Sequence, residues 1–535
     1  MQILRRSGDD RASQASQLLF LGLIGFLVAI YDHYGYVTSP YRATDDARQH
    51  IFWTYRFRDP ELFPDDLYVD FYSTLAPLGY RALYFLAAQI IDPLLFSKLL
   101  PFGLLGVSVW YMWRLGRAFE PRWGGLIAGL LILEYSGAMR GGLPRSFALS
   151  LLIPHFYYVA TRRYGRASGV LVLQALFYQQ SFLIGFGLQS VTILRELWGR
   201  PGQSFPTRLR EARRPLGLLI GAALVSGLLL STPFLSRKEE ALGPVITRAE
   251  AVQSEEFQRG GRVAFFSPDP VVYYLVGNRS GLGWNYHLTT FALILLLFAS
   301  VLRGKLFQAP PIILDNLAVS LFLFACAHLL LFRLYLPNRY VRWTLPISAI
   351  LWIASEAWPF IVRLQERFTG FRPVWATVVR WRFGLAFLFF LAVLSGAMKT
   401  GFLTPKTERP DVVELYHFLA TLPKTSLIAG NTPYLAGVPL FARRKILVDD
   451  EFALPYLKGY YREVVRRRTA LQKALKTPAA DEMGRFCREF GVTHLVIDPT
   501  AQVPPIGPAV LERLERERVF RSAPFFVATC PRAAG

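Results

Sequence analysis

The run Thr44-Asp45-Asp46-Ala47-Arg48-Gln49-His50 sets two adjacent carboxylates just ahead of an imidazole. Such a group suits a general base, a divalent-cation ligand, or both. It equally suits a helix start, with Thr44 as the N-cap and Asp45 and Asp46 in the first turn. A second pair, Asp65-Asp66 after Pro64, reads as a turn. Two further clusters are cationic. Arg140-Gly141-Gly142-Leu143-Pro144-Arg145-Ser146-Phe147 places two arginines around a Gly-Gly turn at a helix start. Guanidinium forks and free backbone N–H groups there would hold a phosphate. Tyr335-Leu336-Pro337-Asn338-Arg339-Tyr340-Val341-Arg342-Trp343 carries Arg339 and Arg342. Each cluster fits an anionic lipid-linked ligand and, equally, anchoring to lipid headgroups. Glu134 reads as an interfacial carboxylate and His328 as a packed, hydrogen-bonded histidine. Asp269 and His287 flank a long loop and are weaker candidates. No Gly-rich nucleotide-phosphate loop is present, which argues against an ATP-driven transporter with its motor in this chain.

The elements that must position these residues follow from composition. The chain has 535 residues, 53% hydrophobic and only 18% charged, where soluble domains average roughly 25% charged. Its apolar residues come in blocks long enough to cross a bilayer, joined by Arg-rich links, so the chain reads as an α-helical polytopic membrane protein. Sixty Lys and Arg against 38 Asp and Glu give a net charge of +22. Basic cytoplasmic loops absorb most of that excess, so no nucleic-acid partner is read from it. Three cysteines, Cys326, Cys487 and Cys530, form neither a disulfide framework nor a metal knuckle. For Cys487 and Cys530, a disulfide and two buried free thiols both stay open.

Charge alternation orients the spans. Arg5, Arg6 and Arg11 precede an uncleaved first helix at about 17–36, which sets the N-terminus in the cytoplasm. A long exterior loop, 37–93, follows. Its stretch 75–92 reads as a surface or re-entrant helix stopped at Asp92-Pro93. Further spans fall at about 94–114, 122–138 and 144–161. The block 167–195 has basic residues at both ends and Gln179-Gln180-Ser181 in the middle, so it reads as a hairpin of two short helices. The remaining spans, at about 215–233, 286–302, 311–332, 342–362 and 383–399, bring the count to about eleven. A second exterior loop spans 234–285.

From about 405 the composition changes to 20 Lys and Arg with 14 Asp and Glu, and no spanning segment follows. Ser426 to Gly430 and His494 to Asp498 read as short buried strands, and Leu457 to Ala474 and Asp481 to Phe490 as helices. The expected organisation is a transmembrane module, 1–404, followed by a small extracytoplasmic α/β domain, 405–535.

This arrangement resembles glycosyltransferase superfold C (GT-C), the polytopic transferases that include protein mannosyltransferases and aminoarabinose transferases. Its members share an acidic motif in the first exterior loop, surface helices in that loop, and often an extracytoplasmic C-terminal domain. Asp45-Asp46 stands where their catalytic acidic residue stands, and the hairpin with Gln179 and Gln180 at its tip is similar to a family hairpin that often carries Lys. The resemblance implies an inner-membrane enzyme that moves a sugar from a polyprenyl-phosphate donor to an acceptor on the outer face. Asp45 or Asp46 would be the base. Arg140, Arg145, Arg339 and Arg342 would receive the donor phosphate, and His50, Glu134, Gln179, Gln180 and His287 would contact donor or acceptor. An all-oxygen site would suit Mg²⁺ or Mn²⁺, but many members are metal-independent and no metal is assigned. Two other classes fit the same residues: a transporter or flippase of lipid-linked sugars, and a non-catalytic envelope assembly factor.

Overall fold

The computed structural model describes residues 2–198, 204–231, 242–283, 309–367, 409–478, 480–501 and 505–530. The chain separates into two compact units. The first comprises 1–35, 99–231 and 267–405, and the second comprises 36–98, 232–266 and 406–535.

The first unit is helical. Four of the described helices are long and apolar enough to cross a membrane: Ser13–Val37, Pro93–Phe119, Phe205–Ser231 and Pro311–Leu329. The expected count of about eleven is not carried by the described helices. The spans expected at about 286–302 and 383–399 lie outside the described residues. The segment 122–138 divides into a short α-helix, Gly124–Leu131, and a 3₁₀ segment, Ile132–Gly142. The helix Phe147–Ala160 has 14 residues, about 21 Å, against a hydrocarbon core of about 30 Å. The hairpin is present: Tyr164–Phe177 and Gln179–Trp198 are separated by Tyr178, whose backbone is extended (φ −154°, ψ 98°).

Polar contacts lock these helices where lipid offers no alternative partner. His155 Nε2 lies 3.2 Å from Gln189 Oε1, and Gln189 Nε2 donates to Ser168 Oγ. Asp315 is buried and accepts from Arg195 Nε and Nη2 at 3.0 and 2.8 Å and from Thr192 Oγ1 at 3.0 Å. Near residue 120 the chain turns on Glu120, whose carboxylate accepts the backbone N–H groups of Arg122, Trp123 and Gly124. The two backbones touch there: a Cβ on Gly116 would sit 2.2 Å from the Gly124 carbonyl oxygen, so neither position accepts a side chain without movement.

The second unit contains a five-stranded mixed sheet in the order β2-β1-β3-β5-β4. The strands are β1 Leu427–Gly430, β2 Lys445–Ile446, β3 His494–Ile497, β4 Arg518–Ser522 and β5 Phe525–Thr529. β1 is parallel to β2 and β3, while β5 is antiparallel to β3 and β4. Helices Pro410–Thr421, Lys458–Lys476, Ala480–Phe490 and Pro508–Arg516 accompany it. Both expected strands and both expected helices are present, and β2, β4 and β5 complete the sheet. Cys487 and Cys530 form a disulfide with Cα atoms 6.1 Å apart.

Within this unit the loop 36–98 packs on the sheet-bearing segment through aromatic rings. Phe71 stacks on Tyr460 at 3.8 Å, Phe52 meets Phe452 at 5.8 Å, and Tyr68 meets Phe452 at 4.8 Å. Such pairs add to the area they bury. Leu78–Ala88 has 11 residues, about 16 Å, so this helix by itself is too short to cross a hydrocarbon core of about 30 Å.

Candidate functional site

The first group of site residues belongs to the second unit. Thr44 ends an extended stretch and caps the helix Asp45–Ile51, its Oγ1 accepting from Ala47 N at 3.2 Å. Asp45 and Asp46 therefore occupy the first turn, where the helix dipole favours negative charge. Asp45 is exposed, and its carboxylate accepts no hydrogen bond from the described residues. Asp46 is half-buried and has partners. His50 turns inward and meets the Tyr72 ring edge-on at 5.3 Å.

One turn along, Arg48 is committed elsewhere. Its Nε donates to both carboxylate oxygens of Glu451 at 3.0 and 3.1 Å, and Nη2 donates to Oε2. The Glu451 backbone is held in turn. Its carbonyl accepts from Gln49 Nε2 at 2.8 Å and from Arg262 Nη2 at 3.0 Å, and its N–H donates to Asp449 Oδ1 at 2.8 Å. Arg468 pairs with Asp450 and with Glu256, which also accepts from the Tyr461 hydroxyl. Three chain segments, around 45–51, 248–266 and 449–468, thus meet in one charged network. Burial pushes the Asp449 carboxyl up to about 7, and the Glu451 and Asp450 carboxylates add to it against the Glu451 N–H bond and Arg48. Asp66 caps Leu67–Leu75 through Val69 N at 2.8 Å, which makes the expected turn a buried helix cap; burial raises its carboxyl to about 6.

The second group belongs to the first unit. Gly141 and Gly142 have φ of 81° and 57°, left-handed values that favour glycine, so the Gly-Gly turn is a real reversal. Before it, Arg140 Nη2 donates to Asp32 Oδ1 at 3.2 Å, and Ser136 Oγ donates to the same carboxylate. After it, Arg145 lies in the 3₁₀ turn Pro144–Ser146, which Ser146 Oγ closes by accepting from Leu143 N. Arg145 and Arg339 both lie within electrostatic reach of the buried Tyr178 hydroxyl, at the hairpin break, with Trp343 beside it. Arg339 lies over the Tyr335 ring at 5.9 Å and the exposed Arg342 over Trp343 at 5.0 Å.

Gln179 and Gln180 open the second hairpin helix, Gln179 exposed and Gln180 half-buried. Glu134 is half-buried in the 3₁₀ segment. His328 is packed among Tyr273, Tyr274 and Phe324 and bonded to the Ser280 carbonyl at 2.9 Å. Asp269 accepts from Val271 N and starts a helical turn. His287 lies outside the described residues. Among the described residues, no group of three or more His, Cys, Asp and Glu is placed to hold a metal ion.

Two solved structures of an archaeal oligosaccharyltransferase from Archaeoglobus fulgidus are similar to this chain. One is AglB in complex with an inhibitory peptide and a dolichol-phosphate, at 11% identity and a TM-score of 0.47, with 90% of this chain and 69% of that chain covered. The other is a complex with Zn and sulfate, at 12% identity and a TM-score of 0.47, with 90% and 68% covered. No protein-family profile matches the sequence, and no curated protein matches it.

Sequence reasoning did not single out Arg48 with Glu451, Asp449, Arg262, Tyr178 or Asp32. Two signals were there to be used. Asp449-Asp450-Glu451 is an acidic run directly after an apolar strand pattern, and Asp32 is a carboxylate at the end of the apolar run 18–30, where it needs a partner.

Proposed function

We propose that this chain is an integral-membrane glycosyltransferase that takes a sugar from a polyprenyl-phosphate donor and passes it to an acceptor on the outer face of the membrane. The observation that carries this reading is the Asp45 carboxylate. It lies a few residues beyond the first long apolar helix, exposed and with no described donor bonded to it, while the nearby guanidinium is engaged by Glu451. A carboxylate in that position is open to an approaching acceptor hydroxyl.

In this reading Asp45, or its neighbour Asp46, takes the acceptor hydroxyl proton as that oxygen attacks the anomeric carbon. The bond from that carbon to the phosphate oxygen breaks, and polyprenyl phosphate leaves with the bonding pair. Arg145 and Arg339 neutralise the charge that develops on the leaving phosphate. Arg140 and Arg342 belong to the same phosphate-binding set. His50, Glu134, Gln179, Gln180 and His287 contact donor or acceptor.

The outer-face placement of 37–93, 234–285 and 405–535 is supported by the Arg-rich alternation and by the Cys487–Cys530 bond, which oxidising compartments sustain. Cysteines introduced at Thr425 and Ser204, both exposed, test it in intact cells with a membrane-impermeant thiol reagent. Labelling at 425 and not at 204 is the expected result, and the reverse pattern refutes the orientation.

A second reading has its own observation: Thr44 caps the helix, so Asp45 and Asp46 could serve the helix start alone. The chain would then be a lipid-linked sugar transporter or an assembly factor. A reconstituted assay that separates sugar transfer from lipid translocation divides these readings. Transfer with release of polyprenyl phosphate supports the transferase, and translocation without transfer refutes it.

A further inference from the structure

We infer that Glu451 is a positioning residue for Asp45: it holds the Arg48 guanidinium away from a carboxylate that would otherwise claim it. The inference rests on the reading of Asp45 as the base and extends it to a residue 406 positions away in the sequence.

Asp45 and Arg48 stand three residues apart on one short helix. That spacing brings opposite charges together on a helix surface and stabilises them as a pair. Left to itself, Arg48 would close on Asp45, and a guanidinium against a carboxylate lowers its proton affinity. The structure shows a different pairing. Arg48 reaches Glu451 through two of its nitrogens and touches the Ala43 carbonyl with the third. This pair wins for two reasons. It is forked and charge-assisted, and the two side chains are only 27% and 12% exposed, so water screens it less than a pair at the exposed Asp45. Glu451 is also pre-set for the task, because Gln49, Arg262 and Asp449 fix its backbone. Glu451, Tyr416 and Asp45 act on Arg48, and Arg48 acts in turn on Asp449. With Glu451 neutral, two carboxyl groups remain within its reach. Asp449 is tied to the Glu451 N–H, and Asp45 stands three residues away on the same helix with no described donor bonded to it.

Glu451→Gln is nearly isosteric and leaves the backbone bonds to Gln49 and Arg262 in place. Its amide oxygen still accepts from Arg48 but carries no charge, so the charge attraction now favours Asp45 and Arg48 swings toward it. Two readouts follow this, and the first does not depend on activity. Water-soluble carbodiimide with an amine nucleophile, followed by peptide mapping, reports how freely the Asp45 carboxyl reacts. Labelling should fall roughly three- to ten-fold in Glu451→Gln, since a guanidinium-paired carboxylate resists protonation. It should return close to the original level in Arg48→Gln/Glu451→Gln, which has no guanidinium to close. The second readout is the initial rate of sugar release from labelled polyprenyl-phosphate sugars in a host lipid extract. It should fall about ten-fold in the single variant and recover in the double, as weaker proton acceptance costs rate.

A plain brace between helix and turn makes the opposite prediction, because the bridge is missing from both variants and both should suffer alike. Unchanged Asp45 labelling in Glu451→Gln, or a double variant as impaired as the single, overturns the inference. Labelling that follows the expected pattern while the rate does not overturns the base reading and leaves the pairing intact. If Glu451→Gln yields too little folded protein, Glu451→Asp shortens the reach by one methylene and should shift both readouts the same way by a smaller factor.

Discussion

Replacing Asp45 by Asn separates a catalytic carboxylate from a structural one. The structural cost follows from what the side chain does in the fold. Thr44, not Asp45, caps the helix, and no described donor is bonded to the Asp45 carboxylate. What Asn removes is the interaction of one negative charge with the helix N-terminus, typically about 0.3–1 kcal/mol. Some of that is returned, since Asp45 also repels the Glu451 carboxylate. The net change in stability should stay below about 1 kcal/mol, with an unfolding midpoint in detergent close to the parent's. A general base is worth far more. Its loss should slow transfer by about 10²–10⁴-fold, or roughly 3–5 kcal/mol in the barrier. The assay is sugar transfer from labelled polyprenyl-phosphate sugars in reconstituted vesicles, run beside thermal unfolding of the same preparation. Asp46→Asn is the paired control, and its half-buried side chain predicts a larger stability change. If both amide variants keep transfer within a few-fold of the parent, no base acts from this helix turn. The transferase reading through this loop then fails.

Arg195→Met should leave the buried Asp315 carboxylate with Thr192 Oγ1 as its remaining described donor. The Arg195 side chain is 41% exposed, so water offsets part of the loss and the cost should be about 1–3 kcal/mol, read as a fall in unfolding temperature; Arg195→Met/Asp315→Leu should recover most of it, and no recovery refutes the ion-pair account. Removing the Cys487–Cys530 bond opens the loop it closes in the unfolded chain, raises that chain's entropy and should cost roughly 3–4 kcal/mol by the loop-entropy estimate; two free thiols in non-reducing mass spectrometry would refute the bond. Asp66 has its carboxyl raised by burial to about 6. The folded state therefore holds its proton longer than the unfolded state, so its contribution to stability falls as pH rises from about 4 to about 6 and is level above that. Asp66→Asn still caps well and should lose this pH dependence; Asp66→Ala should lose it too and lie about 1 kcal/mol below the Asn variant at every pH. Equal pH profiles for the parent and the Asn variant refute the assignment.

The features legible in the residue string are those carried by near neighbours. Thr44 ahead of two aspartates announces a helix start, because a cap and its first turn lie within four residues. The polar trio at 179–181 between basic flanks announces the hairpin, and the break falls at Tyr178. The strands at 427–430 and 494–497 follow from short apolar runs that end in turns. The sequence also pointed to a membrane protein, because hydropathy sums over one segment at a time. Ion-pair partners are a different kind of information. Arg48 has Asp45 one turn away and Glu451 hundreds of residues away, and local spacing favours the wrong one. Arg140 pairs with Asp32, and Arg195 with Asp315, across gaps that no periodicity spans. The merging of 36–98, 232–266 and 406–535 into one unit is equally invisible locally. Each of these outcomes turns on which pair loses least solvation for the contacts it gains. Burial sets that balance, and burial exists only once distant segments have packed.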